Sequence, residues 1–162
     1  MGLETSAGRG GVQTHYETRS TNETNGGQVH THGKVKQITY KFSYDDLPGG
    51  GTDALRAFVP AGAMVVDAYF NTTTAFASGT SYDIGLEQND GSTAIDADGL
   101  FDALVLADID ASVGTALTAS LHAGTNSGVL CGQRLSVDGY LVVAATGSFT
   151  AGEAELVLEY IA

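Results

Sequence analysis

Apolar and polar residues alternate along most of the chain beyond residue 34. Residues 37–44 place Ile38, Tyr40, Phe42 and Tyr44 on one face, with polar side chains between them. This period of two is typical of a strand that is buried on one side. The same reasoning predicts further strands, at 54–59, 64–73, from Tyr82 onward, 134–145 and 153–161.

The phase of the alternation assigns particular side chains to the core. In the strand 64–73 these are Met64, Val66, Ala68 and Phe70. In 134–145 they are Leu135, Val137, Leu141 and Val143. In 153–161 they are Ala154, Leu156, Leu158 and Tyr160. We expect this last strand to be central in its sheet or paired with the strand near Ile38.

The segment between residues 89 and 121 has a weaker pattern. Residues 89–98 are polar and predict a loop, and Asp98 is a suitable N-cap for a short helix with Phe101, Leu104 and Val105 on one face. Residues 104–106 are equally compatible with a buried strand. A further strand is predicted around 116–121.

Seven or eight short strands, glycine-rich turns and at most one short helix predict an all-β fold. The arrangement that fits best is an antiparallel β-sandwich, jelly-roll-like. Residues 34–162 are enough to bury a core without disulfides. The sequence shows no internal repeat and no second globular domain.

Residues 1–33 differ in composition from the rest. Gly, Thr, Ser, Asn and His dominate there, and apolar residues are few. Such a segment cannot bury enough apolar surface to fold alone, but it can become ordered against a partner. We therefore predict an extended, flexible N-terminal arm at 1–33 and a β-sandwich body at 34–162.

The chain is strongly acidic, with 7 basic against 19 acidic residues and a net charge of −12. Sixteen of the acids lie beyond Gly33, where the basic residues after Lys41 are Arg56 and Arg134. Phosphate backbones would repel such a body, so we predict no direct binding of nucleic acid. No run of about eighteen apolar residues and no basic-then-apolar leader occurs, so neither a membrane span nor a signal peptide is predicted, and we expect synthesis in a cytoplasm.

His30-Thr31-His32 is the sharpest candidate for a metal site. In an extended chain the two imidazoles point the same way, and three copies around a trimer axis would supply six nitrogen ligands. Two ligands from one chain are too few by themselves. The favoured interpretation is a solvated or subunit-packed arm that binds no metal, and we predict no cofactor.

Six aspartates raise the question of calcium: Asp90, Asp96, Asp98, Asp102, Asp108 and Asp110. The spaced ligands and the terminal glutamate of a calcium loop are missing, which favours a solvated acidic rim with helix capping.

Cys131, the single cysteine, excludes an intrachain disulfide. It lies in an apolar run and is interpreted as a buried small hydrophobe.

The search for catalytic motifs gives no positive signal. The Gly-x-Ser-x-Gly, His-Glu-x-x-His and Gly-Lys-Ser/Thr patterns are absent. Ser120 and His122 lack a nucleophile turn and an orienting acid. Glu155 and Glu159 would stand about 13 Å apart along a strand, too far for two-carboxylate hydrolysis. We predict that the protein is not an enzyme.

The outward side of the predicted sheet is more apolar than solvent requires. Val157, Ile161, Val65 and Tyr69 fall there. We interpret this face as a subunit contact, the alternative being burial at the edge of the sandwich. Strands at a sandwich edge also invite pairing with the arm of another chain.

Two blocks of residues resemble a known family. The first contains Val59-Pro60-Ala61-Gly62-Ala63, Val66, Asn71-Thr72-Thr73-Thr74-Ala75-Phe76, Gly79-Thr80 and Ile84-Gly85. The second is Thr150-Ala151-Gly152-Glu153-Ala154-Glu155-Leu156-Val157-Leu158-Glu159-Tyr160. Together they resemble the head decoration (cement) proteins of tailed bacteriophages, over roughly residues 55–160.

The resemblance implies a non-enzymatic homotrimer on the outside of the virion capsid, with the major capsid protein as partner and synthesis in the host cytoplasm. It also implies an arm that reaches over neighbouring capsid subunits. The arm residues expected to contact the capsid are Arg9, His15, Tyr16, Arg19, His30 and His32. Similar domains occur in tail and fibre proteins, so a trimeric, host-facing tail or fibre component is the alternative.

Overall fold

The computed structural model describes residues 6–8, 11–13, 35–46, 51–88 and 93–162. The chain divides into two units, Met1–Lys34 and Val35–Ala162. In the first unit two short strands, β1 (Ser6–Gly8) and β2 (Gly11–Gln13), pair antiparallel. The role of residues 1–33 as an arm stays a prediction.

The second unit contains two four-stranded sheets. Sheet I has the order β3 (Val35–Ser43), β10 (Phe149–Ile161), β5 (Met64–Ser78) and β8 (Leu117–Thr118). Sheet II has the order β4 (Gly51–Val59), β9 (Gly139–Thr146), β6 (Ser81–Glu87) and β7 (Ala94–Val105). All of these pairings are antiparallel. One α-helix, α1 (Leu106–Ala111), and two 3-10 turns, Tyr44–Asp46 and Ala119–Leu121, complete the described elements.

The predicted antiparallel β-sandwich with one short helix is confirmed, and the jelly-roll connectivity stays a prediction. The two sheets share one hydrophobic core. Aromatic rings join them: Phe42 of sheet I meets Tyr82 of sheet II with ring centroids 5.6 Å apart, and Phe70 meets Phe101 at 6.1 Å. Edge-to-face pairs of this kind add to the free energy gained by burying the rings.

The expected position of the strand 153–161 is confirmed. It forms most of β10, which lies between β3 and β5. Its four predicted core residues, Ala154, Leu156, Leu158 and Tyr160, are all buried. The regular alternation of that segment reflects one side packed on the core and the other side turned away from it.

The predicted phase of β5 is wrong over its first three residues. Val65 is fully buried, whereas Val66 is 36% exposed. The pairing explains the difference, because Glu159 lies opposite Asp67 and Tyr160 lies opposite Val65, so that Val66 has no counterpart on β10. This β-bulge reverses the side on which the residues before it point. Ala68 and Phe70 are buried as predicted.

The predicted helix after Asp98 is also wrong, because residues 94–105 form strand β7 and the helix begins only at Leu106. Phe101 and Leu104 are both buried, although they are three residues apart. They lie opposite Ile84 and Tyr82, which are two residues apart, and between them Ala103 has a φ of 49°. The spacing of three between buried residues, which resembles that of a helix, therefore comes from an irregular strand.

Two further boundaries differ from the sequence prediction. Strand β9 begins at Gly139, and the preceding segment is irregular. Leu135, Leu141 and Val143 are buried as predicted, but Val137 is 37% exposed. The strand expected around 116–121 has only the two residues of β8 before it turns into the 3-10 helix.

Candidate assembly surface

Sheet I has an outer face, formed by the side chains that point away from the shared core. Val157 at its centre lies opposite Thr39 on one neighbouring strand and Tyr69 on the other. Ile161 lies in the same way between Val35 and Met64. Opposite residues in an antiparallel sheet point to the same side, so these form two rows across three strands.

The predicted apolar surface is therefore present with one correction. Val157, Ile161 and Tyr69 belong to the outer face and are partly exposed. Val65 does not belong to it, because the bulge at Val66 turns it into the core. Whether this face contacts another subunit stays a prediction.

Carboxylates lie beside the apolar rows of the outer face. Glu155 forms an ion pair with Lys41 at 3.7 Å, and Glu159 lies opposite Asp67. The pKa of the Tyr69 hydroxyl is raised above its ordinary value, first by burial and then by the charges of Glu159 and Asp67. The outer face is thus apolar with a negative potential, which suits a partner surface that is apolar and carries positive charge.

Asp67 fixes the loops beside this face. Its Oδ2 accepts a hydrogen bond of 2.6 Å from the Ser120 hydroxyl, and its Oδ1 accepts bonds from the backbone N–H groups of Ala68 at 2.8 Å and Ser120 at 3.2 Å. The carboxylate therefore ties the turn after β8 to the bulged part of β5. Sequence reasoning did not single out Asp67, although a charged residue directly after Val65-Val66 in a predicted strand was an available signal.

Cys131 also belongs to this cluster. Its thiol lies 3.6 Å from Asp67 Oδ1 and is partly buried. Burial, followed by the Asp67 charge, raises the pKa of the thiol to about 12. Since the nucleophilic form is the thiolate, the thiol is unreactive at neutral pH.

The aspartates of β7 hold a neighbouring loop. Asp98 accepts a hydrogen bond from the Asn126 side-chain amide at 3.1 Å, and Asp102 accepts one from the Asn126 backbone N–H at 3.0 Å. The bond from Asn126 lowers the pKa of Asp98, while burial and Asp98 raise that of Asp96. The predicted helix-capping role is wrong, because Asp98 lies within a strand.

Ser120 and His122 are not arranged as a nucleophile and its base. The Ser120 hydroxyl donates to Asp67, as described above. The His122 side chain is 7% exposed, packs 5.8 Å from the Phe101 ring centroid and has no hydrogen bond to its Nε2, which lies 4.0 Å from Asp108. Over the residues that the structure describes, no three His, Cys, Asp or Glu side chains converge on a possible metal position.

The predicted arm contacts cannot be placed on this surface. The structure does not describe the residues expected to make them, which are Arg9, His15, Tyr16, Arg19, His30 and His32, nor does it describe Asp90.

None of the described helices has the length and apolar character needed to span a membrane.

Comparison with solved structures shows where this fold is found. A chain in the capsid of Ralstonia phage GP4 matches with a TM-score of 0.54 and 18% identity, over 80% of this chain and 84% of that one. A chain in the capsid asymmetric unit of cyanophage Pam1 matches with a TM-score of 0.54 and 11% identity, over 90% of this chain and 99% of that one. Neither the protein families nor the curated proteins gave a match. At these identities the likeness establishes a shared fold.

Proposed function

We propose that the protein is a non-enzymatic structural component of a phage virion, which decorates the outside of the head and stabilises the shell. The observation that carries the proposal is the match to two chains from phage capsids, which spans 84% and 99% of their lengths. The step from a shared fold to a shared role is an analogy, and it is supported by the lack of an assembled catalytic group among the described residues of the body.

The partner is the major capsid protein, and the outer face of sheet I is the body's contribution to the contact. Its rows of Val157 with Tyr69 and of Ile161 with Met64 provide apolar area, and the carboxylates beside them provide charge. The acidic body, with sixteen of nineteen acids beyond Gly33, would be repelled by packaged DNA, which supports a position on the exterior.

Stabilisation follows from multivalency. A homotrimer with three bodies and three arms engages several capsid subunits at once, so weak individual contacts combine into a strong one. Because only the assembled shell presents all of these contacts together, binding shifts the equilibrium toward the intact shell.

Binding to purified expanded capsids tests the proposal. The full chain is expected to co-sediment with capsids and not with isolated tails or host cells. A variant lacking residues 1–33 is expected to bind more weakly while keeping the circular dichroism and unfolding transition of the body. Copy number in purified virions gives an independent check, since decoration requires many copies per head, whereas a tail or fibre component occurs in few.

The outer face is tested by Val157→Ser with Val105→Ser as its matched control. Both valines are partly exposed, but Val105 lies on sheet II. Loss of the buried apolar area is expected to weaken capsid binding by roughly tenfold for Val157→Ser, equivalent to about 1.4 kcal/mol. Equal capsid binding by the two variants would show that the outer face of sheet I is not the contact. Binding of the full chain to tails alone would show that the protein is a tail or fibre component and does not decorate the head.

A further inference from the structure

Leu121 is the most exposed large apolar residue in the part of the chain whose side chains the structure describes. It is 83% exposed, whereas the other exposed apolar residues there do not exceed 50%. A single exposed leucine is common on protein surfaces and indicates nothing by itself. Three further observations distinguish Leu121: its backbone is fixed, other exposed apolar side chains lie beside it, and carboxylates border the group.

The two neighbours of Leu121 in the chain hold its backbone in place. On one side the Ser120 hydroxyl donates to Asp67 Oδ2 at 2.6 Å, and the Ser120 backbone N–H donates to Oδ1 at 3.2 Å. On the other side the His122 ring is buried and packs against Phe101. Leu121 therefore lies on an ordered 3-10 turn. A partner that covers the leucine does not have to order this backbone first, which lowers the entropic cost of binding.

Two exposed valines lie beside the turn. One directly follows Gly128, and a Cβ atom at Gly128 would lie only 2.7 Å from the Ser120 Cα, so the two segments are in backbone contact. The other directly precedes Asp67, whose carboxylate binds Ser120. Each valine is thus one residue away from a direct contact with the turn. We call the group the Leu121 patch: Leu121, Val129 and Val66.

The Leu121 patch lies at the margin of the outer face of sheet I. Val157 on β10 lies opposite Tyr69 on β5, and Tyr69 lies opposite Thr118 on β8. This row of the outer face therefore extends to β8, and the 3-10 turn follows directly after Thr118. A partner seated on the outer face is within reach of Leu121.

Carboxylates border the Leu121 patch and indicate what kind of partner it fits. Asp67 lies between Val66 and the turn, and Asp108, whose side chain is 47% exposed, lies 4.0 Å from the His122 ring. The body has sixteen acids and five basic residues beyond Gly33, so the same surface on a second copy would be repelled. An apolar patch with a negative border is complementary to an apolar pocket bordered by Lys or Arg.

We infer that Leu121 anchors the contact by inserting into an apolar pocket, bordered by basic residues, on a partner protein. The inference rests on the proposed function, in which the capsid shell supplies this pocket. It adds to that function a specific anchor, located on the loop side of the outer face.

Capsid binding by Leu121→Ser tests the anchor, with Val105→Ser on sheet II as the control. Leu121→Ser is expected to weaken binding roughly tenfold to a hundredfold, because a leucine side chain is no longer buried on association. Val105→Ser is expected to bind like the natural protein. Both positions are exposed, so the urea unfolding transitions of the two variants should stay close to that of the natural chain.

The charged border is tested by Asp108→Asn. Its capsid binding is expected to depend less steeply on salt concentration than that of the natural protein, because one attraction to the basic border is removed. Unchanged salt dependence would overturn the assignment of a basic border to the pocket.

Labelling of whole virions tests the anchor wherever the protein lies in the particle. In a Cys131→Ala background, Leu121→Cys and Val105→Cys are treated with a maleimide as free proteins and in purified virions. The thiol at position 121 is expected to react rapidly in the free protein and much more slowly in virions. The thiol at position 105 should react in both. A folded Leu121→Cys chain that is missing from virions, while Val105→Cys is incorporated, also supports the anchor.

The outcomes separate the inference from the proposed function. The inference alone is overturned if the thiol at position 121 reacts as fast in virions as in the free protein, or if Leu121→Ser binds capsids as well as Val105→Ser. Absence of the natural chain from purified virions would overturn both. A protected thiol in virions together with binding to tails alone would support the anchor and contradict decoration of the head.

Discussion

The two sheets of the body differ in how completely the chain covers them. In sheet II, β6 is buried on both sides: Tyr82, Ile84 and Leu86 face the core, and Gly85 on the other side is buried as well. Its partner Val142 on β9 is 1% exposed. In sheet I, β10 alternates between buried residues and partly exposed ones.

The cause of this difference lies in β7. A Cβ atom at Gly85 would overlap the backbone of Asp96 and Ala97, so the irregular part of β7 lies directly over β6. Sheet II is thus covered by its own edge strand, while the outer face of sheet I has no comparable cover among the described residues. Among the described residues, the outer face of sheet I is therefore the more open of the two outer sheet faces.

The largest expected loss of stability comes from a substitution that separates β7 from β6 in sheet II. Gly85→Ala forces β7 away from β6, since the overlap is with backbone that cannot rotate aside. We expect the free energy of unfolding to fall by roughly 3 kcal/mol or more, measured by urea denaturation.

Gly114→Ala is the matched control for that substitution. Gly114 has open space around its Cβ position but a φ of +74°, so the change should cost only about 1 kcal/mol of conformational strain. Equal losses for the two variants would show that β7 does not rest on β6 in the way described.

An intermediate loss of stability is expected where β5 of sheet I is hydrogen-bonded to helix α1 and the residue that follows it. Thr72 donates to the Ile109 carbonyl at 2.8 Å and lies 2.7 Å from the Ser112 hydroxyl, and Thr72 and Ser112 are both buried. Thr72→Val removes the hydroxyl and leaves these groups with fewer partners, at a cost of about 1–3 kcal/mol. Thr73→Val, at the exposed neighbouring position, is the control, and thermal unfolding of both variants gives the comparison.

The smallest effect concerns pH. The pKa of the Cys131 thiol is about 12 in the folded protein, against an ordinary value of 9.0. Between these values the unfolded chain loses the proton while the folded chain keeps it, so the free energy of unfolding decreases as the pH rises above about 9. Below that pH the thiol is protonated in both states and contributes no slope.

Cys131→Ala should therefore show a shallower loss of stability between pH 9 and 10.5 than the natural protein, measured by urea unfolding at each pH. Tyr82, whose pKa is also raised, is independent of Cys131, so it contributes in both proteins and cancels. Identical slopes would mean that the Cys131 thiol is not shielded beside Asp67.

The sequence predicts regular strands well and irregular ones poorly. The segment 153–161 alternates strictly, and its predicted core residues and its pairing with the strand near Ile38 are both confirmed. Strands β5 and β7 contain bulges, and a bulge changes which side a residue faces without changing composition. That is why Val66 was assigned to the core and residues after Asp98 to a helix.

The candidate surface was predicted only in part for a similar reason. Tyr69, Val157 and Ile161 were identified because they are apolar at positions that alternate with the core. The role of Asp67 depends on Ser120, which lies 53 residues away in the chain. Contacts of this kind depend on the tertiary fold, and the alternation of apolar and polar residues along a strand gives no information about them.

The central position of β10 has a consequence for biosynthesis. Leu156 pairs with Tyr40 on one side and Phe70 on the other, so a single late-made strand bridges two that were made much earlier. Until the ribosome releases β10, β3 and β5 lack their shared partner and their apolar sides stay uncovered. Sheet I therefore depends on contacts between segments that are far apart in the chain, the kind of contact that forms more slowly than a local hairpin.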